Sequence, residues 1–339
     1  MKNTRNLWIN TLGAAILAVS AQPISAQTMT IDRASASIGA CPTNPAHIFE
    51  PPAAAGACPG PGPQLNVPDV NYGLGAVDDT DALAVNEPSA PNSDYGFVFS
   101  ADLTSQGLAP TNYRAQFVNN QAAGDLWRTM AIPTNDPWTV AAGACGAPAT
   151  LPMAPWPTLY INQAFWNMIP FVPPGVAFAG AIDDLDGFDF QLLDTTNNLI
   201  ADVPFYFSID PASAFAAAPA DIVFKPVGAA PFVWANDWRL GLGPSDDVDA
   251  LVVWDRNVIG VPNPGADLVL FSLGRGSFAL RGPDGVAGTA DDFSPADLFV
   301  SNLGGTFCLY MRPGQLGLRA NDNVDALEVK VWPFDDGGN

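Results

Sequence analysis

The sequence predicts an all-β fold built as a four-unit internal repeat, closing into a four-bladed β-propeller. Three observations predict it. An acidic turn feeding an apolar strand occurs four times. A short strand ending in a serine turn occurs four times in fixed phase with it. No stretch carries sustained helical periodicity with caps.

The acidic turns are Asp78-Asp79-Thr80-Asp81-Ala82-Leu83, Asp183-Asp184-Leu185-Asp186-Gly187-Phe188, Asp246-Asp247-Val248-Asp249-Ala250-Leu251 and Asp322-Asn323-Val324-Asp325-Ala326-Leu327. Small residues lead into each, as in Gly241-Leu242-Gly243 and Leu316-Gly317-Leu318. The serine turns end at Ser35, Ser105, Ser213 and Ser277, after strands such as Phe207-Ser208-Ile209 and Phe271-Ser272-Leu273. A third motif sets an acid before an apolar strand: Asp125-Leu126-Trp127, Asp221-Ile222-Val223 and Asp297-Leu298-Phe299, with His47-Ile48-Phe49 in the first unit. From the first acid of a turn to the next Phe-Ser is 21, 24 and 25 residues (78 to 99, 183 to 207, 246 to 271), room for a hairpin. Each unit thus offers four short strands, and four units give the accounting of a small propeller. The chain opens on a serine-turn strand with no partner before it and closes on an acidic-turn strand with no partner after it. Pairing those two removes two open edges and closes a ring.

Residues 1–26 carry Lys2 and Arg5, then an apolar run, then small residues ending at Ala26, which reads as a secretory signal peptide. The remainder, 27–339, reads as a single four-repeat β domain. Its units run over about 27–95, 96–200, 201–265 and 266–339, with an insertion at 131–175 in the second. No later stretch is long and apolar enough to span a bilayer, so the expected location is secreted or periplasmic. The formal charge of −21, with 34 acids against 13 bases, excludes nucleic acid and anionic membrane surfaces as partners. Cys41 and Cys58 bracket a short loop and form a natural disulfide pair, leaving Cys145 with Cys308, although spacing alone also allows the other pairings.

The Asp-Ala-apolar strand starts (Asp81-Ala82-Leu83, Asp249-Ala250-Leu251, Asp325-Ala326-Leu327 and the variant Asp186-Gly187-Phe188) resemble those of hemopexin-type four-bladed propellers. In that family such strands line a central channel that holds ions. This chain departs from the pattern in its longer units, its additional paired acids and the placement of its cysteines, so the resemblance carries over no ligand residues. The acidic-turn repeats also resemble those of exported bacterial proteins.

Calcium is the candidate cofactor, because it takes six to eight oxygen ligands from closely spaced carboxylates and carbonyls. The candidate ligands are Asp78, Asp79, Asp81, Asp183, Asp184, Asp186, Asp246, Asp247, Asp249, Asp322 and Asp325. The competing reading is structural: Asp favours turns through bonds to nearby amides. A second candidate is the glycine-flanked loop bearing Asp284, Asp291 and Asp292. Trp138, Trp156 and Trp166 in the insertion form a candidate ligand-binding surface for a glycan or protein partner, or else pack the loop down. Trp234, Trp238, Trp254 and Trp332 read as packing residues. Enzyme signatures are thin. The chain has one histidine, His47, and no Gly-x-Ser-x-Gly, and a serine present in every unit reads as structural. The expected function is non-catalytic binding or adhesion, stabilised by calcium. The alternatives are a secreted carboxylate-dependent hydrolase, glycosidase-like, and a calcium-dependent structural matrix protein. The oligomeric state is open.

Overall fold

The computed structural model of the chain describes residues 27–35, 48–50, 64–67, 74, 78–86, 96–101, 105, 125–128, 158–161, 185–190, 204–213 and 215–329. The strands are β1 (Gln27–Ile31), β2 (Ile48–Glu50), β3 (Gln64–Val67), β4 (Ala82–Asn86), β5 (Gly96–Ser100), β6 (Leu126–Arg128), β7 (Thr158–Ile161) and β8 (Phe188–Phe190). They continue with β9 (Phe205–Phe207), β10 (Ile222–Lys225), β11 (Phe232–Ala235), β12 (Val248–Trp254), β13 (Leu268–Leu273), β14 (Leu298–Ser301), β15 (Phe307–Met311) and β16 (Val324–Val329). The fold is all-β. Four antiparallel sheets of four strands each run β16-β1-β2-β3, β4-β5-β6-β7, β8-β9-β10-β11 and β12-β13-β14-β15, here sheets one to four.

Every sheet begins with an acidic-turn strand and continues with a serine-turn strand. In sheet one these come from opposite ends of the chain: β1 pairs with β16, Gln27 against Val329 and Ile31 against Val324. Sheet boundaries therefore run about one strand ahead of the units drawn from sequence, so that β12 opens sheet four from within unit 201–265. The 131–175 stretch is not insertion throughout, because β7 lies inside it and pairs with β6, Trp127 against Leu159. The four first strands are mutual neighbours. β4 packs beside β8 and β16, and β12 packs beside β8 and β16.

The apolar residues follow from this packing. A strand alternates its side chains between two faces, and sheet four is covered on both. From β12 and β13, Leu251, Val253, Val269 and Phe271 pack against Tyr206, Ile222 and Phe224 of sheet three. The intervening Ala250, Val252 and Leu270 pack against Met29, Ile31 and Leu327 of sheet one. Sheets two and three share a further cluster, in which Val98 and Leu126 meet Phe188, Phe205 and Phe207. A sheet buried on both faces needs a near-continuous apolar run, as in Ala250-Leu251-Val252-Val253, rather than strict alternation. Burial of such side chains stabilises by roughly 1.5–3 kcal/mol each.

Two helices of four residues, α1 (Asp237–Leu240) and α2 (Pro313–Leu316), precede the third and fourth acidic turns. Each ends on a left-handed glycine, Gly241 at φ 89° and Gly317 at φ 75°, a conformation that glycine adopts without a Cβ penalty. The small-residue lead is thus a helix stop, and Leu242 and Leu318 behind it are buried. Among the described residues no helix is long and apolar enough to cross a membrane.

Two expectations are corrected. Cys308 is a free thiol on the outer strand β15, so the bridge to Cys145 is not made; a disulfide needs Cα atoms closer than about 7 Å. Cys41, Cys58 and Cys145 lie outside the described residues. Trp238 is not a packing residue: it is 60% exposed on α1, with the Arg239 guanidinium 5.1 Å from its ring centre. Trp234 is buried as expected, and Trp332 lies outside the described residues.

Candidate metal centre

The acidic turn has a division of labour that its sequence does not display. The first acid builds the turn. Both oxygens of Asp246 accept backbone N–H groups, Oδ2 from Gly243 and Oδ1 from Ala279, each at 2.8 Å. Asp322 accepts from Arg319 N at 2.7 Å, and Asp78 is buried at the same position. The second residue is pinned to the serine of its own sheet. Ser35, Ser105 and Ser277 accept the N–H groups of Asn323, Asp79 and Asp247 at 2.9, 2.7 and 3.0 Å. The recurrent serine is therefore structural, as its presence in every unit implied.

A second set of hydroxyls joins neighbouring sheets. Thr30 Oγ1 donates to Thr80 O at 2.7 Å, Ser100 Oγ to Leu185 O at 3.3 Å, and Ser272 Oγ to Val324 O at 2.7 Å. Each acceptor is the carbonyl just before the last acid of the next sheet's turn, Asp81, Asp186 or Asp325. Ser208 holds this position in sheet three. A Cβ at Gly187 would meet its Oγ at 2.6 Å, which explains why glycine replaces alanine in Asp186-Gly187-Phe188. The turns of sheets one and two are held by both hydroxyls and that of sheet four by Ser277, which fixes the direction of their side chains.

They converge. A cavity of about 270 Å³ is lined by the third acid of every turn, Asp81, Asp186, Asp249 and Asp325, together with Asp79 and Asn323 from the second position. Asp32 and Asp210, three residues before the serines, complete the lining. Two triads bring one carboxylate oxygen of each member within 4.8 Å of the others: Asp32, Asp79 and Asp325, and Asp186, Asp247 and Asp249. Between the triads sits Asn323. Its Nδ2 donates to Asp249 Oδ2 and, at 2.9 Å, to Asp325 Oδ1. Its Oδ1 is buried without a hydrogen-bond donor, and Asp247 Oδ1 is in the same condition.

The field of this cavity is strongly negative. Burial pushes the Asp247 carboxyl up to about 8, with repulsion from Asp249 and Asp210 adding to it. Burial pushes Asp249 up to about 7, against the Asn323 hydrogen bond that pulls it down. Asp325 stands well above the usual carboxylate range through burial and the charges of Asp79, Asp249 and Asp32. Carboxylates so close together require either protons or cations. The donor atoms are all oxygens, and the lining holds no histidine or cysteine. That donor set fits a hard cation with several oxygen ligands, calcium before zinc.

Of the residues singled out from sequence, the structure gathers Asp79, Asp81, Asp186, Asp247, Asp249 and Asp325 at one place. It turns Asp246 and Asp322 into their own turns. Asp183, Asp184, Trp138, Trp156 and Trp166 lie outside the described residues. Asp284, Asp291 and Asp292 stay in an exposed loop and bond within it, Asp292 Oδ2 accepting Gly288 N at 2.6 Å and Asp284 Oδ1 accepting Val286 N at 2.7 Å. Sequence reasoning missed Asp32, Asp210 and Asn323. A signal existed for the first two: Asp recurs three residues before the serine in three units (Asp32, Asp102, Asp210), with Gly274 in the fourth.

No protein-family model matches the sequence, and neither a curated protein nor a solved structure matches the chain at a significant level.

Proposed function

We propose that the chain is an exported, non-catalytic binding protein, a four-bladed β-propeller whose blades are fixed to one another by calcium at the acidic cavity. The propeller reading is supported by four sheets of equal strand number, by the pairing of β1 with β16, and by first strands that each touch two others. The observation that carries the calcium reading is the cavity itself. All four sheets contribute carboxylates to it, and a buried Asn323 oxygen in its wall has no donor. Calcium there offsets the repulsion among the acids and joins elements far apart in sequence. Recognition of an extracellular glycan or protein is assigned to the aromatic stretch 131–175, on the strength of its tryptophans and prolines; replacing Trp156 and Trp166 by alanine should abolish binding to a glycan or protein ligand while leaving the melting temperature within about 2 °C.

Thermal unfolding with chelator, with millimolar calcium and with millimolar magnesium tests the cation reading. A ligand that binds only the folded state raises its stability, so calcium should raise the melting temperature by several degrees and magnesium should not. Equal melting temperatures in chelator and in calcium overturn the reading. A second reading, a carboxylate-dependent hydrolase, draws on the raised Asp247 and Asp249 carboxyls in a cleft. It requires turnover of a glycoside that disappears in Asp249→Asn.

A further inference from the structure

We propose that the cavity holds two divalent cations, each joining one pair of adjacent sheets, while a third seam of the ring is held by protein groups alone. The inference rests on the reading of the cavity as a cation site and adds to it a count and a placement. Each triad of converging oxygens spans one sheet boundary. Asp32 and Asp325 belong to sheet one and Asp79 to sheet two; Asp186 belongs to sheet three, and Asp247 and Asp249 to sheet four. One cation therefore joins sheets one and two, and the other joins sheets three and four.

The seam between sheets four and one is built differently, and the sequence shows how. Where the other turns carry Asp79, Asp184 and Asp247, this one carries Asn323, whose amide donates to Asp249 of sheet four and Asp325 of sheet one. Where the other serine turns carry Asp32, Asp102 and Asp210, sheet four carries Gly274, and a Cβ there would stand 2.5 Å from Asp247 Oδ2. The next residue, Arg275, crosses the seam to Asp32, with Nε 3.2 Å from Oδ2. Two acids are thus absent at this seam, and a donor and a cationic side chain are gained. The fourfold pattern of acids is broken at this boundary; Arg33 reaches Asp79 across the seam of sheets one and two, with Nε 3.6 Å from Oδ2, but there both acids are kept.

Charge and an orphaned atom support the count. Seven cavity carboxylates and Asp247 face two guanidinium groups, Arg33 and Arg275. One divalent cation leaves four negative charges uncompensated in a site of restricted access; two leave two. Asn323, a lining residue of the cavity, is 5% exposed; its amide nitrogen is committed to the two triads, and its buried Oδ1 has no donor. A buried amide oxygen left without a partner costs about 1–3 kcal/mol, and a cation beside it removes that cost. This atom is the observation, independent of the acids, that points to a bound ion.

The test is the number of calcium ions per chain, measured on the full protein by native mass spectrometry and by calorimetric titration into chelator-treated protein. The expected count is two. Asp32→Asn and Asp247→Asn should each lower it to one, and the double variant should bind none. A count of one in the unaltered protein overturns the two-ion arrangement and leaves the cation reading standing, whereas a count of zero overturns both. If each single variant loses both ions, the triads are one site and the inference fails. The count on the unaltered chain decides the matter even where a variant does not fold.

Discussion

Raising the pH of the calcium-free protein should weaken it, against the usual behaviour of a protein rich in salt-bridged carboxylates. The carboxyls of Asp247 and Asp249 stand at about 8 and about 7 in the folded chain, through burial first and then the charges of neighbouring carboxylates, whereas an unfolded Asp titrates near 4. A raised carboxyl means that the folded state holds its proton more tightly than the unfolded state does. Its favourable contribution is complete below about pH 4 and is lost as pH climbs through the folded value. Between pH 5 and pH 8.5 the Asp249 carboxyl alone accounts for about 3 kcal/mol and Asp247 for about 4. Because a proton on one relieves the other, the two contributions overlap, and the expected combined loss is on the order of 5 kcal/mol. In a chain of this size that is a fall of roughly 10 °C in melting temperature. The assay is thermal unfolding in chelator at pH 5 and at pH 8.5, repeated with calcium. Calcium replaces the protons, so its stabilisation should be small at pH 5 and large at pH 8.5, reaching about 2.7 kcal/mol per ion at a hundredfold excess over its Kd. A calcium-free melting temperature that is flat or rises over this interval would refute the electrostatic account of the cavity.

Three further outcomes separate the roles within the turns. Asp246→Ala removes acceptors from two backbone N–H groups and should destabilise by about 2 kcal/mol without altering the number of calcium ions bound; a changed count contradicts its assignment to the turn. Ser277→Ala frees the Asp247 backbone, with an expected cost of about 1–2 kcal/mol by chemical denaturation, and no measurable cost dismisses the serine staple. Gly260 sits at φ 82°, and a Cβ there would come within 2.4 Å of the Phe224 ring. Gly260→Ala should therefore cost at least about 2 kcal/mol, and a neutral substitution shows that the hairpin turn gives way easily.

The all-β character and the pairing of β1 with β16 were legible from the residues because they depend on local pattern. Short apolar runs, Gly and Asp at turns, and the strands left without a partner at 27–31 and 324–329 are all features of the chain itself. The composition of the site was legible too, but not its membership. Asp246 and Asp247 are adjacent and chemically identical, yet one accepts the backbone amides of Gly243 and Ala279 and the other joins Asp186 and Asp249, because Ser277 and the loop at Ala279 hold the turn. Nor could the sequence show that Trp238 is exposed or that Cys308 is unbridged, since both depend on what lies opposite them. Asp32, Asp79 and Asp325 come from the two ends of the chain, and only the β1–β16 pairing and the packing of β16 beside β4 bring their charges together. The sequence by itself determined which residues could carry the charge and how the backbone would turn. The tertiary structure decided which carboxylates share a space, because electrostatic coupling follows distance in three dimensions and not along the chain.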